Sequence, residues 1–66
     1  MPYIAFEAGQ LTASVKQELI EKLTKVSAEI TGIPESLFFV SIRELPDEHI
    51  AVGGKTVKQL KENLSK

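Results

Sequence analysis

The sequence has 66 residues, of which 42% are apolar, no cysteine, and a net charge of −1 from eight Lys/Arg and nine Asp/Glu. A nucleic-acid-binding protein of this size is normally strongly basic, so that class is disfavoured. No run of about eighteen apolar residues is present, so no membrane span is predicted. The first residues lack the charged and apolar regions of a signal peptide, and we expect a cytoplasmic protein.

The short chain predicts one small domain over residues 1–66 with a marginal core of its own. Such a chain buries only about 60% of the surface that its unfolded form exposes. It has neither the cysteines for a disulfide nor a Cys/His cluster for a structural metal. Oligomerisation is the remaining common means of stabilising a scaffold of this size.

Residues 2–8 alternate as a β-strand does, with apolar residues on one face. The two faces are Ile4, Phe6 and Ala8, and Tyr3, Ala5 and Glu7. Residues 13–31 then predict an amphipathic helix. Its apolar stripe consists of Val15, Leu19, Leu23, Val26 and Ile30. Thr12 and Ser14 are both suitable N-caps, and Gly32 followed by Pro34 ends the helix.

Residues 37–45 predict a second strand with Phe38, Val40 and Ile42 on one face and Phe39, Ser41 and Arg43 on the other. Pro46-Asp47-Glu48 is a turn, and residues 50–52 form a short strand or hairpin arm before Gly53-Gly54. After these glycines, apolar residues recur at the spacing of a short helix. Strand, helix and strand make an α+β fold built on a βαβ unit with parallel strands. Two parallel strands with an uncovered, partly aromatic face are not expected to stand alone, so this face is expected to meet another subunit.

A chain of this length that begins Met1-Pro2 and is built as βαβ resembles the 4-oxalocrotonate tautomerase family. The further landmarks are the Leu19-Ile20 helix segment, Pro34, Arg43-Glu44-Leu45 and the run from His49 to Gly54. The resemblance implies a tautomerase-like fold whose sheet is completed by a second subunit, in a homo-hexamer that is a trimer of dimers. It also implies a cofactor-free isomerase whose N-terminal proline amine is the general base. Such an enzyme moves a proton next to a carbonyl, as in keto–enol tautomerisation.

The sequence departs from the family where members that act on dicarboxylates carry two arginines and an aromatic hairpin residue. Those positions hold Leu11, Phe39 and Ile50 here. The resemblance therefore implies an apolar substrate wall. A monoacid, an aryl pyruvate-like enol or an uncharged carbonyl compound suits this wall better than a dicarboxylate. A backbone N–H, an ordered water or Arg43 is left to polarise the carbonyl.

Pro2 has two interpretations. It is either a proline tolerated at the first position of an edge strand, or, after removal of Met1, a secondary amine that acts as a base. Desolvation disfavours the protonated form of such an amine and lowers its pKa. In the first case the chain is a non-catalytic or vestigial oligomeric scaffold. In the second it is a tautomerase that acts on an enol or an unsaturated keto acid.

Arg43 is the only arginine in the chain, and it too has two interpretations. It can serve as a displaced anion-binding residue for the substrate. Alternatively it pairs with Glu7, which the parallel strand should place beside it on the same face. We favour the ion pair, because a charge enclosed in an assembly requires such a partner.

Overall fold

The computed structural model describes residues 1–64, which form four strands, two helices and two short 3-10 turns. The strands are β1 (Tyr3–Ala8), β2 (Phe39–Glu44), β3 (Ala51–Val52) and β4 (Lys55–Thr56). The helices are α1 (Ala13–Thr31) and α2 (Val57–Leu64). The 3-10 turns span Glu35–Leu37 and Asp47–His49. The predicted α+β fold with a βαβ unit is confirmed.

Strands β1 and β2 are parallel, as predicted, with Tyr3 opposite Phe39 at one end and Ala8 opposite Glu44 at the other. Every second residue of β1 is half-buried, beginning with Ile4, whereas Tyr3, Ala5 and Glu7 are exposed. Helix α1 connects the two strands and contacts β2. One face of this two-stranded sheet is therefore covered, and the other is open.

Helix α1 has the predicted bounds, and Thr12 is its N-cap rather than Ser14. The Thr12 hydroxyl accepts the N–H of Val15 at 3.3 Å. At the other end, Gly32 adopts φ 76° and donates its N–H to the Ala28 carbonyl at 2.8 Å. A left-handed residue at this position favours glycine, which is why the helix ends there.

The second strand begins at Phe39, so the prediction of a strand from residue 37 is wrong at its start. Pro34 fixes its own φ, and the chain after it turns in 3-10 geometry before it extends. The Leu37 N–H donates to the Pro34 carbonyl and the Phe38 N–H to the Glu35 carbonyl, both at 3.1 Å. Alternation of side chains does not reveal such a local turn.

The C-terminal part, residues 50–64, forms an arm that consists of a hairpin and α2. Strands β3 and β4 are antiparallel and joined by Gly53 and Gly54, whose φ angles are 60° and 83°. Two consecutive positive φ angles are what a two-residue type I′ turn requires. Thr56 and Gln59 then form a reciprocal capping box at the start of α2, with N–H to side-chain oxygen distances of 2.8 and 3.1 Å.

No residue within 1–64 is fully buried in the single chain. The protomer extends 47 × 24 × 16 Å. Its radius of gyration is 15.5 Å, whereas a compact chain of this length has about 11 Å. Several large apolar side chains are exposed, among them Tyr3, Ile30 and Val52. In the part of the chain described, neither helix has the length and apolar character needed to cross a membrane.

The capping assignment gives a stability prediction. Thr12→Ala should lower the free energy of unfolding by about 1 kcal/mol, because the N–H of Val15 loses its acceptor at the helix start. Ser14→Ala is the matched control and should change it by less than about 0.5 kcal/mol. Urea titrations at one fixed protomer concentration measure both values, since oligomer stability depends on concentration. Equal losses in the two variants would contradict the assignment of Thr12 as the cap.

Candidate active site

Pro2 lies at the start of β1, half-buried, beside the start of β2. Its carbonyl accepts the N–H of Phe39 at 3.0 Å. In the next register row, the rings of Tyr3 and Phe39 are stacked, with centroids 6.1 Å apart and planes 19° from parallel. Both rings are largely open to solvent, at 66% and 49% exposure. The structure therefore places the backbone of Pro2 beside that of Phe39, whose ring belongs to an exposed aromatic pair.

Met1 precedes this site and is 82% exposed. While Met1 is attached, the Pro2 nitrogen is a tertiary amide with no proton and no basic lone pair. Removal of Met1 would turn this nitrogen into a secondary amine at the end of the strand. Whether this end of the sheet carries a base therefore depends on whether the peptide bond between Met1 and Pro2 is cleaved.

Arg43 lies near the opposite end of the strand pair, where it is opposite Glu7 in the parallel register. Its Nη1 atom is 3.5 Å from Oε1 of Glu7, so the predicted ion pair is confirmed. The two side chains are 72% and 60% exposed in the single chain. Solvent weakens such a pair, but its geometry directs the guanidinium to a carboxylate of its own chain. In this protomer Arg43 lies opposite Glu7, so about 16 Å of strand separates it from Pro2.

Leu11 and Ile50 also lie away from Pro2. Leu11 is in the loop after β1, beyond the carboxyl ends of both strands. Ile50 begins the C-terminal arm, and its carbonyl accepts the N–H of Val57 at 2.7 Å. Of the five site residues predicted from the sequence, one protomer therefore brings together only Pro2 and Phe39. The other three lie at the far end of the strand pair or beyond it.

Glu44 makes two hydrogen bonds at that far end of the strand pair, and no pattern in the sequence indicated this role. Its Oε2 accepts the N–H of Leu11 at 3.0 Å, and its Oε1 accepts a hydrogen bond from Nζ of Lys16 at 2.7 Å. These contacts, the Lys16 hydrogen bond first, hold the pKa of the Glu44 carboxyl below its usual range. The signal that would have revealed it is the parallel register, which places Glu44 opposite the residue before the loop.

Within residues 1–64, the His, Asp and Glu side chains form no group of three or more that could hold a metal ion. A polar groove at the far end lies between the loop and the arm. It is lined by Gln10, Pro46, Asp47, Glu48 and Lys61. Lys61 Nζ is 2.9 Å from Oδ2 of Asp47, which ties α2 to the turn before it. The arm is thus attached to the turn that precedes it.

Comparison with known proteins adds to this geometry. The family model described as "Tautomerase enzyme" matches residues 2–60. The chain is 41% identical over 56 residues to a probable tautomerase of Bacillus cereus, covering 83% of this chain and 92% of the relative. It is 34% identical over 61 residues to the 2-hydroxymuconate tautomerase of Bacillus subtilis, covering 91% and 98%.

The fold is also similar to solved structures of the same group. A 4-oxalocrotonate tautomerase isozyme from Methylibium petroleiphilum superposes with a TM-score of 0.85 at 30% identity, covering 89% of this chain and 97% of that one. Residues 2–60, which the family model matches, include the parallel strand pair and helix α1. The chain therefore belongs to the tautomerase family and is an isomerase with the 4-oxalocrotonate tautomerase fold.

Proposed function

We propose that this protein is a cofactor-free keto–enol tautomerase in which Pro2, after removal of Met1, is the general base. The observation that carries the proposal is the position of Pro2. Pro2 immediately precedes β1 and follows the 82%-exposed Met1, and its carbonyl accepts the N–H of Phe39 at 3.0 Å. Exposure of Met1 favours access by an aminopeptidase. Because the hydrogen bond restrains the Pro2 carbonyl, it also restrains the amine that removal of Met1 would create on the same residue.

The proposed reaction moves one proton within the substrate. The neutral amine of Pro2 takes the proton from the enol oxygen, the carbonyl forms as the double bond shifts, and the protonated amine delivers a proton to carbon. The amine has to be largely unprotonated near neutral pH for this role. An α-amino group ordinarily has a pKa near 8, and enclosure by apolar side chains lowers it by disfavouring the charged form.

The proposed substrate class is based on two cations that already pair with carboxylates of the chain. Lys16 is bound to Glu44 at 2.7 Å, and Arg43 is 3.5 Å from Glu7. The end of the sheet at Pro2 instead presents the rings of Tyr3 and Phe39. We therefore favour an aryl enol, a monoacid or an uncharged carbonyl compound over a dicarboxylate. The wall is formed by Phe39 together with Leu11 and Ile50.

Leu11 and Ile50 reach Pro2 in this proposal only if they come from other protomers. We propose a homo-hexamer, a trimer of dimers of single-domain chains, in which a second subunit completes the sheet. The support is physical: no residue in 1–64 is fully buried in one protomer, and the open sheet face carries an aromatic pair. Exposed apolar area of this kind favours a covering partner.

A second candidate is a scaffold that keeps the fold without the reaction. The same three apolar residues at the family's arginine and aromatic positions favour it, because they also fit a site that has lost its substrate contacts. This candidate differs from the enzyme in that Pro2 does not act as a base, so a test of Pro2 distinguishes the two.

Intact mass should show that the purified protein lacks Met1, and the processed protein should ketonise phenylenolpyruvate. Pro2→Ala should lower kcat/KM by at least about tenfold, since the contribution of a positioned general base is typically a hundredfold or more. The rate should also rise as pH passes through the pKa of the amine. An unchanged rate in protein that retains Met1, in which the Pro2 nitrogen is an amide, would exclude Pro2 as the base.

Phe39→Arg tests the proposed substrate class. A guanidinium beside Pro2 can bind a second carboxylate with two charge-assisted hydrogen bonds. The ratio of kcat/KM for 2-hydroxymuconate to that for phenylenolpyruvate should rise by about tenfold or more. Phe39→Leu is the matched control, because it removes the ring without adding charge and should leave this ratio within about threefold. A ratio that Phe39→Arg leaves unchanged would place the substrate away from this residue.

The assembly is tested by placing a charge on the open face. Ala5 is exposed in the middle of β1, so Ala5→Glu should dissociate the hexamer by burying an unpaired carboxylate. Lys25→Glu, an exposed substitution on α1, is the control and should leave the oligomer intact. Sedimentation velocity at micromolar concentration measures both. A monomeric parent protein, or a hexamer that tolerates Ala5→Glu, would contradict a covered sheet face.

A further inference from the structure

The loop between β1 and α1, residues 9–12, is attached to the end of β2 by one carboxylate. Glu44 is the last residue of β2 and lies opposite Ala8, the residue at which β1 ends. The Leu45 N–H donates to the Ala8 carbonyl at 2.9 Å, which keeps the two strand ends together. Glu44 is thus positioned under the point where the chain leaves the sheet.

The two oxygens of Glu44 hold two different parts of the chain. Oε2 accepts the backbone N–H of Leu11 at 3.0 Å, and Oε1 accepts a hydrogen bond from Nζ of Lys16 at 2.7 Å. Between these two points, Thr12 caps the helix, and its carbonyl accepts the N–H of Lys16 at 3.0 Å. Leu11, Thr12, Lys16 and Glu44 therefore close a ring of hydrogen bonds around the start of α1.

The other charged groups around this ring have partners of their own. On the neighbouring register row, Glu7 of β1 is paired with Arg43 of β2 at 3.5 Å. Beyond the strand end, Asp47 is paired with Lys61 at 2.9 Å. From α1, Lys16 is the cation that faces Glu44. Loss of the Glu44 carboxylate therefore removes the acceptor for Lys16 and for the N–H of Leu11 at once.

We infer that Glu44 is a positioning residue for the reaction: it fixes the loop 9–12, and with it the side chain of Leu11, in the conformation that binds the substrate. This inference rests on the proposed function, which places Leu11 in the substrate wall. Glu44 itself is given no contact with a reacting atom, because its two carboxylate oxygens already accept hydrogen bonds from the Leu11 N–H and from Lys16 Nζ. Its effect is on substrate binding through the backbone of the loop.

The ionisation state of Glu44 fits this role at neutral pH. Hydrogen bonds from Lys16 and then from Leu11 hold the pKa of the carboxyl below its ordinary value. A depressed folded-state pKa stabilises the folded form above the ordinary carboxyl pKa of about 4.3, and that stabilisation is lost as pH falls through the folded pKa. The ionised carboxylate that accepts the hydrogen bonds from Leu11 and Lys16 is therefore present at neutral pH and is lost only in acid.

The test compares three variants of the processed full-length protein. Glu44→Ala removes both acceptors, Lys16→Met removes only the side-chain donor, and Lys22→Met is the matched control. Lys22 makes a similar 2.8 Å ion pair with Glu18 elsewhere on α1 and does not contact the loop. Amide hydrogen exchange at Leu11, followed by NMR, measures the loop. KM and kcat for phenylenolpyruvate measure the reaction.

Glu44→Ala should raise the Leu11 exchange rate at least about tenfold, as loss of a hydrogen bond to a charged acceptor does. KM should rise by a similar factor, with kcat and the pH dependence set by Pro2 retained. Lys16→Met should show a smaller effect on both and Lys22→Met none. General destabilisation would instead lower the active fraction, and hence kcat, at constant KM.

Two results would overturn the inference. One is a Leu11 exchange rate in Glu44→Ala equal to that of Lys22→Met. The other is a raised exchange rate with an unchanged KM in an enzyme that Pro2→Ala inactivates. Absence of turnover in the processed parent protein would be a failure of the proposed function instead. In that case the exchange rates still decide whether Glu44 holds the loop.

Discussion

The parallel pairing of β1 and β2, covered by a helix on one face only, is the constraint on which the rest of this structure depends. Full burial of one large apolar side chain stabilises a fold by about 1.5–3 kcal/mol, yet no residue in 1–64 is fully buried in the single chain. The open face carries Tyr3 and Phe39, and the arm of residues 50–64 extends away from the sheet. On this ground we propose that partner protomers stabilise the chain and that different chains contribute to one site.

The cations at the strand pair form their ion pairs far from Pro2. Arg43 and Glu44 are adjacent in β2, and one is paired with Glu7 across the sheet while the other holds Lys16 on the helix. We therefore propose that desolvation, rather than repulsion by neighbouring cations, would disfavour the protonated form of an amine at Pro2.

Much of the fold could be predicted from the sequence because its signals are local. The apolar stripe and Gly32 predicted α1 with its correct ends, and Gly53-Gly54 predicted the hairpin. The start of β2 was not predictable from alternation, because the 3-10 turn after Pro34 continues the same apolar pattern. Which of Thr12 and Ser14 caps the helix also required the structure, since both have the right chemistry.

The site was less predictable, because its contacts join distant parts of the chain. The register of a βαβ unit gave the Glu7–Arg43 pair, since that argument needs only strand direction and alternation. The hydrogen bond from Leu11 to Glu44 depends on the path of a loop, which no periodicity describes. The separation of Leu11 and Ile50 from Pro2 follows from the length of the strands and from the course of the arm.

The central claim is that Pro2 carries a basic amine that performs the reaction. The most direct measurement is a titration of the Pro2 nitrogen by 15N NMR in the processed protein, compared with the pH dependence of kcat/KM. We predict a secondary amine whose pKa lies near neutrality and coincides with the kinetic one. A nitrogen still acylated by Met1 in active protein, or a pKa well away from the kinetic value, would contradict the claim.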